Sequence, residues 1–293
     1  MEEPCGVSLE SRIIKGEPTM PGEFPWLALM QVKDVYFGGL KFICGGTLIN
    51  DRYVITAAHC VKDFRYELVS VRLGEYNTET DDKYCSKLDE ALMTKLEYED
   101  CRAEPPKDYP VEKQIVHPEY APGRKLPNDI ALVRLQGSVE YTSYIAPVCL
   151  PIGDLTLSAA DIKVGVNATV AGWGMTEKLS NSPVPLKANL PIMEYSACKR
   201  LIPDMIPGKL CVGDNVGSSP CFGDSGGPVI IRTMMIPFEE DTNEVEESGF
   251  TGYTRSVLLG VVSSGPGYCN IIQPTLTTNV LEYTLWILKN IDL

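Results

Sequence analysis

The segment Pro220-Cys221-Phe222-Gly223-Asp224-Ser225-Gly226-Gly227-Pro228 sets one serine among glycines. Glycine has no Cβ and lets the backbone approach a reacting carbonyl closely. Backbone N–H groups can then face a developing oxyanion, and the amides of Gly223 and Ser225 are the candidates. A hydroxyl is a weak nucleophile and needs a base beside it. The chain has 2 histidines, His59 and His117. His59 follows Val54-Ile55-Thr56-Ala57-Ala58 and precedes Cys60, a cysteine able to pin the site. His117, in Ile115-Val116-His117-Pro118, reads as a strand end entering a proline turn on a surface loop. His59 is therefore the candidate base, because an imidazole exchanges protons near neutral pH. Asn128-Asp129-Ile130-Ala131-Leu132-Val133 places a carboxylate at the head of an apolar strand. Such a carboxylate either caps a turn or accepts the second ring N–H of an imidazole and fixes its tautomer.

Strands must position these groups. Short apolar or alternating runs recur, among them Leu68–Leu73 and Ala168–Trp173, bounded by Gly, Pro, Asn and Asp. The 25 glycines and 22 prolines suit a turn-rich β protein, and 293 residues suffice for a substantial core in one or two domains. Apolar positions at Leu281, Leu285, Trp286, Leu288 and Ile291 predict one amphipathic helix at the C-terminus. The net charge of −13 argues against nucleic acid or an anionic membrane as partner. No apolar run approaches the roughly 20 residues that span a bilayer. The 10 cysteines form an even set suited to disulfides in an oxidising compartment. The first residues do not read as a signal peptide, so the expectation is an excised portion of a longer secreted precursor.

The segments T-A-A-H-C at 56–60, N-D-I-A-L at 128–132 and G-D-S-G-G-P at 223–228 resemble the signatures of the chymotrypsin-like serine endopeptidases. Phe24-Pro25-Trp26, Cys44-Gly45-Gly46-Thr47-Leu48-Ile49 and Ala171-Gly172-Trp173-Gly174 extend the resemblance from about Ile13 to the C-terminus. It implies an all-β fold of two six-stranded antiparallel barrels with a C-terminal α-helix. His59 and Asp129 would come from the first barrel and Ser225 from the second, with catalysis in the crevice between them. The order His59, Asp129, Ser225 is the chymotrypsin order. The resemblance also implies the bridges Cys44–Cys60, Cys198–Cys211 and Cys221–Cys269, and a chemistry that requires no cofactor.

Two cysteine pairs remain. Cys85 and Cys101 share a long charged loop that leads into Pro105-Pro106-Lys107-Asp108-Tyr109-Pro110. This resembles the arthropod clip-domain serine proteases, in which a cysteine before the cleavage site tethers the pro-segment. It implies Cys85–Cys101 and a Cys5–Cys149 tether, with the clip module upstream of this chain. Ser11-Arg12-Ile13-Ile14-Lys15-Gly16 looks like an activation junction. Residues 1–12 would be the pro-segment and 13–293 the catalytic domain. Cleavage after Arg12 would free the ammonium of Ile13 to pair with Asp224, a switch built on a buried ion pair. The uncut chain is expected to be inactive. Clip-type relatives act in arthropod immune, clotting or developmental cascades, which implies protein substrates, an upstream activating protease, a serpin inhibitor and an extracellular location.

In this family the residue six before the nucleophile forms the specificity-pocket floor. Here it is Ser219, where an Arg or Lys side chain would find no counter-charge. Ser263, Gly265 and Thr275 fall at the walls. Ser264 replaces an aromatic residue, and Thr275 adds bulk where glycine is usual. Cleavage after small or medium apolar residues is expected, unless Thr275 and Ser264 have closed the slot. Glu75-Tyr76-Asn77 resembles the family's calcium loop, with Asp81 and Asp82 as further ligands. A solvated acidic loop is the alternative. Asn167-Ala168-Thr169 is a glycosylation sequon. Residues 232–255 read as an acidic insertion, either a solvated loop or an exosite for a basic partner. A non-catalytic homologue acting as a cascade scaffold is the second function class.

Overall fold

The computed structural model describes residues 5–7, 17–79, 105–123, 125–155, 157, 162–175, 181–213, 224–235, 253–265 and 274–292. A closed barrel is built from β2 (Leu27–Asp34), β3 (Leu40–Leu48), β4 (Tyr53–Thr56), β5 (Tyr66–Leu73), β6 (Lys107–Val116) and β7 (Ala131–Leu135), in the order β2-β3-β4-β7-β6-β5. Every pairing in it is antiparallel. β4 is Tyr-Val-Ile-Thr, four strand formers that are all buried. The register slips at Met30/Gln31 and Val111/Lys113, the kind of irregularity that bends strands around a closed barrel.

The second sheet contains β8 (Asn167–Gly172), β9 (Leu186–Pro191), β10 (Lys209–Val212), β11 (Pro228–Met235), β12 (Tyr253–Ser264) and β13 (Thr275–Asn279). Its order is β1-β9-β8-β11-β12-β13-β10, where β1 is the short strand Glu17–Pro18 on the edge of β9. A bridge between Ile192 and Val212 brings the two ends of the six-strand set together. The two expected barrels are therefore present, and β1 fastens the start of the domain to the second one. Each encloses its own core, around Trp26, Tyr53, Ile55 and Leu132 in the first and Val170, Leu190, Val229 and Leu259 in the second. A buried ion pair, Lys187 Nζ donating to Glu23 Oε1 at 2.6 Å, also ties β9 to the segment that enters the first barrel.

Two expectations shift. The C-terminal segment begins as a 3-10 turn (Val280–Tyr283) before the α-helix Thr284–Asn290. The tighter turn changes the phase, so Val280, Tyr283, Ile287 and Ile291 are buried while Leu285 is 71% exposed. The expected insertion at 232–255 begins and ends as sheet, with Met235 opposite Tyr253 in register, so Arg232–Met235 and Tyr253–Arg255 are strand. Its acidic centre lies outside the described residues.

Disulfides Cys5–Cys149, Cys44–Cys60 and Cys198–Cys211 are formed. Cys85–Cys101 and Cys221–Cys269 lie outside the described residues. Cys5 is held further by its neighbour, since Gly6 N donates to Pro147 O at 2.8 Å and Gly6 O accepts from Ser256 N at 2.9 Å.

Candidate active site

β4 runs from the barrel interior into the one-turn helix Ala58–Val61, which presents His59. Cys44–Cys60 pins that helix to β3. Asp129 sits at the start of β7, behind Asn128, whose φ is +51°. Asparagine tolerates this left-handed conformation better than most residues, and Asn128 is braced on both sides. Its Oδ1 accepts from the Tyr283 hydroxyl at 2.9 Å and its Nδ2 donates to Glu119 O at 3.0 Å.

The Asp129 carboxylate is fully buried and faces His59, whose side chain is 27% exposed. His59 Nδ1 and Asp129 Oδ2 lie 2.9 Å apart, and the backbone N–H of His59 donates to Oδ1 at 2.9 Å. Two hydroxyls complete the shell. Ser263 Oγ donates to Oδ2 at 2.5 Å, and Thr278 Oγ1 donates to the Asp129 carbonyl at 2.8 Å. Burial pushes the Asp129 carboxyl upward. The hydrogen bond and charge of His59, the charge of Lys209 and the Ser263 hydrogen bond together hold it below its ordinary value. The result is an ionised carboxylate aimed at one imidazole nitrogen, while the other, Nε2, lies 3.6 Å from Cys60 Sγ.

Ser225 belongs to the turn preceding β11. Its carbonyl accepts from Gly45 N at 2.8 Å, the next amide, Gly226 N, donates to Val262 O at 2.8 Å, and Gly227 N donates to Asp224 O at 2.9 Å. Gly226 has φ +80°, and a Cβ there would lie 2.5 Å from Gly45 O and 3.2 Å from Ala57 N. The residue after Ser225 is thus pressed against the strand end that leads into His59, and only glycine fits so close. Asp224 turns toward the second barrel, its Oδ1 accepting from Gly174 N at 2.9 Å.

The other expected site residues divide. Gly223 and Ser219 lie outside the described residues, as do Arg12, Ile13, Asp81 and Asp82. Ser263 was expected at the pocket wall, but its hydroxyl is turned to Asp129. Thr275 is wholly buried, and its Oγ1 has no hydrogen-bond partner among the described residues. Gly265 directly follows β12 and is exposed. Asn167 is exposed at the head of β8. Glu75 accepts from Arg72 Nη1 at 3.2 Å and from Tyr76 N at 2.9 Å, and Asn77 Oδ1 accepts from Glu79 N at 3.1 Å. With an arginine on Glu75, these oxygens do not fit a calcium site as they stand. Cys44, His59 and Cys60 also cluster closely, but both sulfurs belong to a disulfide, whereas a thiolate is the form that ligates metal. His117 is half-buried against the rings of Tyr283 and Trp286, at 5.4 and 5.2 Å, and burial holds its imidazole below the ordinary value.

Sequence reasoning missed Lys209. It lies on β10, 6% exposed, with Nζ donating to Ser263 Oγ at 2.6 Å and Thr278 Oγ1 at 3.1 Å. The available signal was a lone lysine inside Gly208-Lys209-Leu210-Cys211-Val212, where an apolar residue would fit the pattern.

The family model for trypsin matches residues 13–96 and 101–287. The chain belongs to this family of serine proteases. It is 38% identical to Melanization protease 1 of Drosophila melanogaster, covering 98% of this chain and 67% of that one. With Serine protease ea of the same organism it shares 39% identity, covering 98% and 69%. The solved Drosophila Grass clip serine protease of the Toll pathway superposes with a TM-score of 0.73 at 33% identity, covering 97% of this chain and 73% of that one. These relatives place the chain beside the arthropod clip-domain proteases, and it spans about two thirds of the length of the curated ones.

Proposed function

We propose that the chain is a secreted serine endopeptidase of a proteolytic cascade, made as a zymogen and activated by cleavage after Arg12. The observation that carries the reading is the 2.9 Å contact between His59 Nδ1 and the buried Asp129 carboxylate, with the Ser225 turn packed against the segment leading to His59. In the mechanism, His59 Nε2 takes the Ser225 hydroxyl proton as Oγ attacks the peptide carbonyl. Asp129 stabilises the imidazolium, and the amides of Gly223 and Ser225 receive the oxyanion. The imidazolium returns its proton to the leaving amine, and water then cleaves the acyl-enzyme by the same route. Cleavage after Arg12 supplies the Ile13 ammonium as partner to Asp224.

A fluorophosphonate tests this. Ser225 is expected to be labelled stoichiometrically after the Arg12–Ile13 bond is cut, and at least tenfold more slowly before. An unlabelled Ser225 in the cut chain would instead identify a non-catalytic scaffold. Equal labelling before and after the cut would remove the zymogen switch.

The preferred P1 residue is proposed to be small or medium apolar, such as Ala, Val or Leu, because Ser219 offers no charge and Thr275 narrows a wall. One methylene in such a pocket is worth about 1–3 kcal/mol, so a fluorogenic panel differing at P1 should show a broad apolar optimum. Dominant cleavage after Arg would overturn this. A natural serpin inhibitor, glycosylation at Asn167 and an upstream clip module tethered through Cys5–Cys149 belong to the same proposal.

A further inference from the structure

Lys209 is a buried cation that the hydrolytic scheme above does not use. It stands opposite Thr278 in the β10–β13 register, and Ser263 reaches it from β12. An ammonium has three donors and no acceptor, while a hydroxyl has a single proton. With their oxygens accepting from Lys209, Ser263 and Thr278 must turn their protons elsewhere. Both turn to Asp129, one to the carboxylate at 2.5 Å and one to the backbone carbonyl at 2.8 Å. Two hydroxyl rotors are thereby fixed by one lysine.

The surrounding elements bring few other titratable groups. Asp129 and His59 lie across the two hydroxyls. Tyr120 and Tyr283 also feel Asp129, but burial pushes both up to about 12, so they stay neutral at working pH. Glu282 approaches the neighbouring residue, its Oε2 lying 3.5 Å from where a Gly208 Cβ would be. Burial lowers the Lys209 ammonium to about 8 against the attraction of Asp129, so it carries its charge at neutral pH.

We propose that Lys209 is a positioning residue for the His59–Asp129 pair, pointing the Ser263 and Thr278 hydroxyls at Asp129 and sharing its negative charge with the imidazole. The kinetic consequence rests on the proteolytic reading; the electrostatic one does not. The orientation of His59 then depends on two hydroxyls that the lysine holds in place.

Lys209→Met removes the charge and the donors at similar volume. With two histidines in the chain, the ring signals can be assigned by comparison with His117→Asn, and the Nδ1 proton of His59 that is shared with Asp129 followed by NMR. In Lys209→Met that proton is expected to shift and to exchange with water about tenfold faster, because the carboxylate loses two fixed hydroxyl partners. kcat should fall roughly tenfold, with KM nearly unchanged, as expected for a lost charged hydrogen bond to an orienting group. Lys209→Gln keeps a donor without the charge; it should restore the Nδ1 proton signal and most of kcat. A native Nδ1 proton signal in Lys209→Met overturns the proposal. Should both variants fail to fold, the native protein decides. One lysine ammonium with slowly exchanging protons, lost between pH 7 and pH 9, supports it, and the absence of such a signal overturns it. A displaced Nδ1 proton signal in a Lys209→Met chain that never labels at Ser225 would sustain the Lys209 role and sink the protease reading.

Discussion

Asp129→Asn is expected to lower kcat/KM about 10⁴-fold in the cut enzyme, with unchanged chain connectivity and disulfides. An asparagine amide at this position can present its NH₂ to Nδ1, which stabilises the wrong imidazole tautomer and leaves Nε2 unable to take the Ser225 proton. Ser225→Ala should lose activity on a similar scale. The two variants part on stability. The Ser225 turn is held by backbone groups from Gly45, Val262 and Asp224, so Ser225→Ala should unfold at nearly the native urea concentration. Asp129→Asn leaves the buried Lys209 ammonium without the carboxylate whose charge it feels across the Ser263 and Thr278 hydroxyls, which should cost about 1–3 kcal/mol.

The sign with pH separates the two contributions. Lys209 is held at about 8 in the fold, below its ordinary 10.5. The unfolded chain therefore binds that proton more readily. The cost of the lysine is present in full below pH 8 and disappears as pH rises toward 10.5. Asp129 is held below its ordinary 3.8, so its contribution is present above that value and is lost as pH falls through the lowered one. The destabilisation of Asp129→Asn should thus be larger at pH 7 than at pH 9.5 in urea titrations. Asp129→Asn with Lys209→Met should recover stability at pH 7 and leave activity lost. A single Asp129→Asn variant as stable as the native chain at pH 7 would remove the electrostatic coupling.

The groups that bear the chemistry were legible because each lies in a contiguous segment whose residue types admit few other readings. Gly226 illustrates why. Its φ of +80° and its closeness to Gly45 O exclude any side chain, so the local need is written in the local residues. Lys209 and Lys187 were opaque for the opposite reason. A lysine in a strand ordinarily faces solvent, and what keeps these two inside comes from far along the chain. Ser263 lies 54 positions from Lys209, and Glu23 lies 164 from Lys187. Ser263 shows a finer failure. Its place beside the pocket follows from the family pattern, but the direction of its hydroxyl depends on Asp129, 134 positions away. At the C-terminus the periodicity identified a helix and misplaced its buried face, because a 3-10 turn at Val280–Tyr283 changes the rotation before the α-helix begins.

Lys187→Met is expected to destabilise the protein by about 3–5 kcal/mol, the larger stability effect among changes away from the catalytic groups. Lys187 is 3% exposed and Glu23 is 0% exposed. Glu23 Oε1 accepts from Lys187 at 2.6 Å, while Oε2 accepts from Met20 N at 2.9 Å. Removing the lysine leaves a buried carboxylate without this cation, although it keeps the Met20 amide. Glu23→Leu with Lys187→Met removes both charges. It should recover most of the loss, because a desolvated pair gains little over apolar packing of similar volume. A urea-unfolding cycle over the four chains measures the coupling, and additive effects would refute it. The functional reach of the pair follows from its place. Lys187 also faces Glu17 across the β1–β9 pairing, so the residues that follow the proposed cut are anchored on the same strand as the ion pair. A new Ile13 terminus can reach Asp224 reproducibly only if the chain behind it is fixed. Lys187→Met should therefore label more slowly at Ser225 after cleavage even where the barrels remain folded, while Glu23→Leu with Lys187→Met should label at a rate close to the native one.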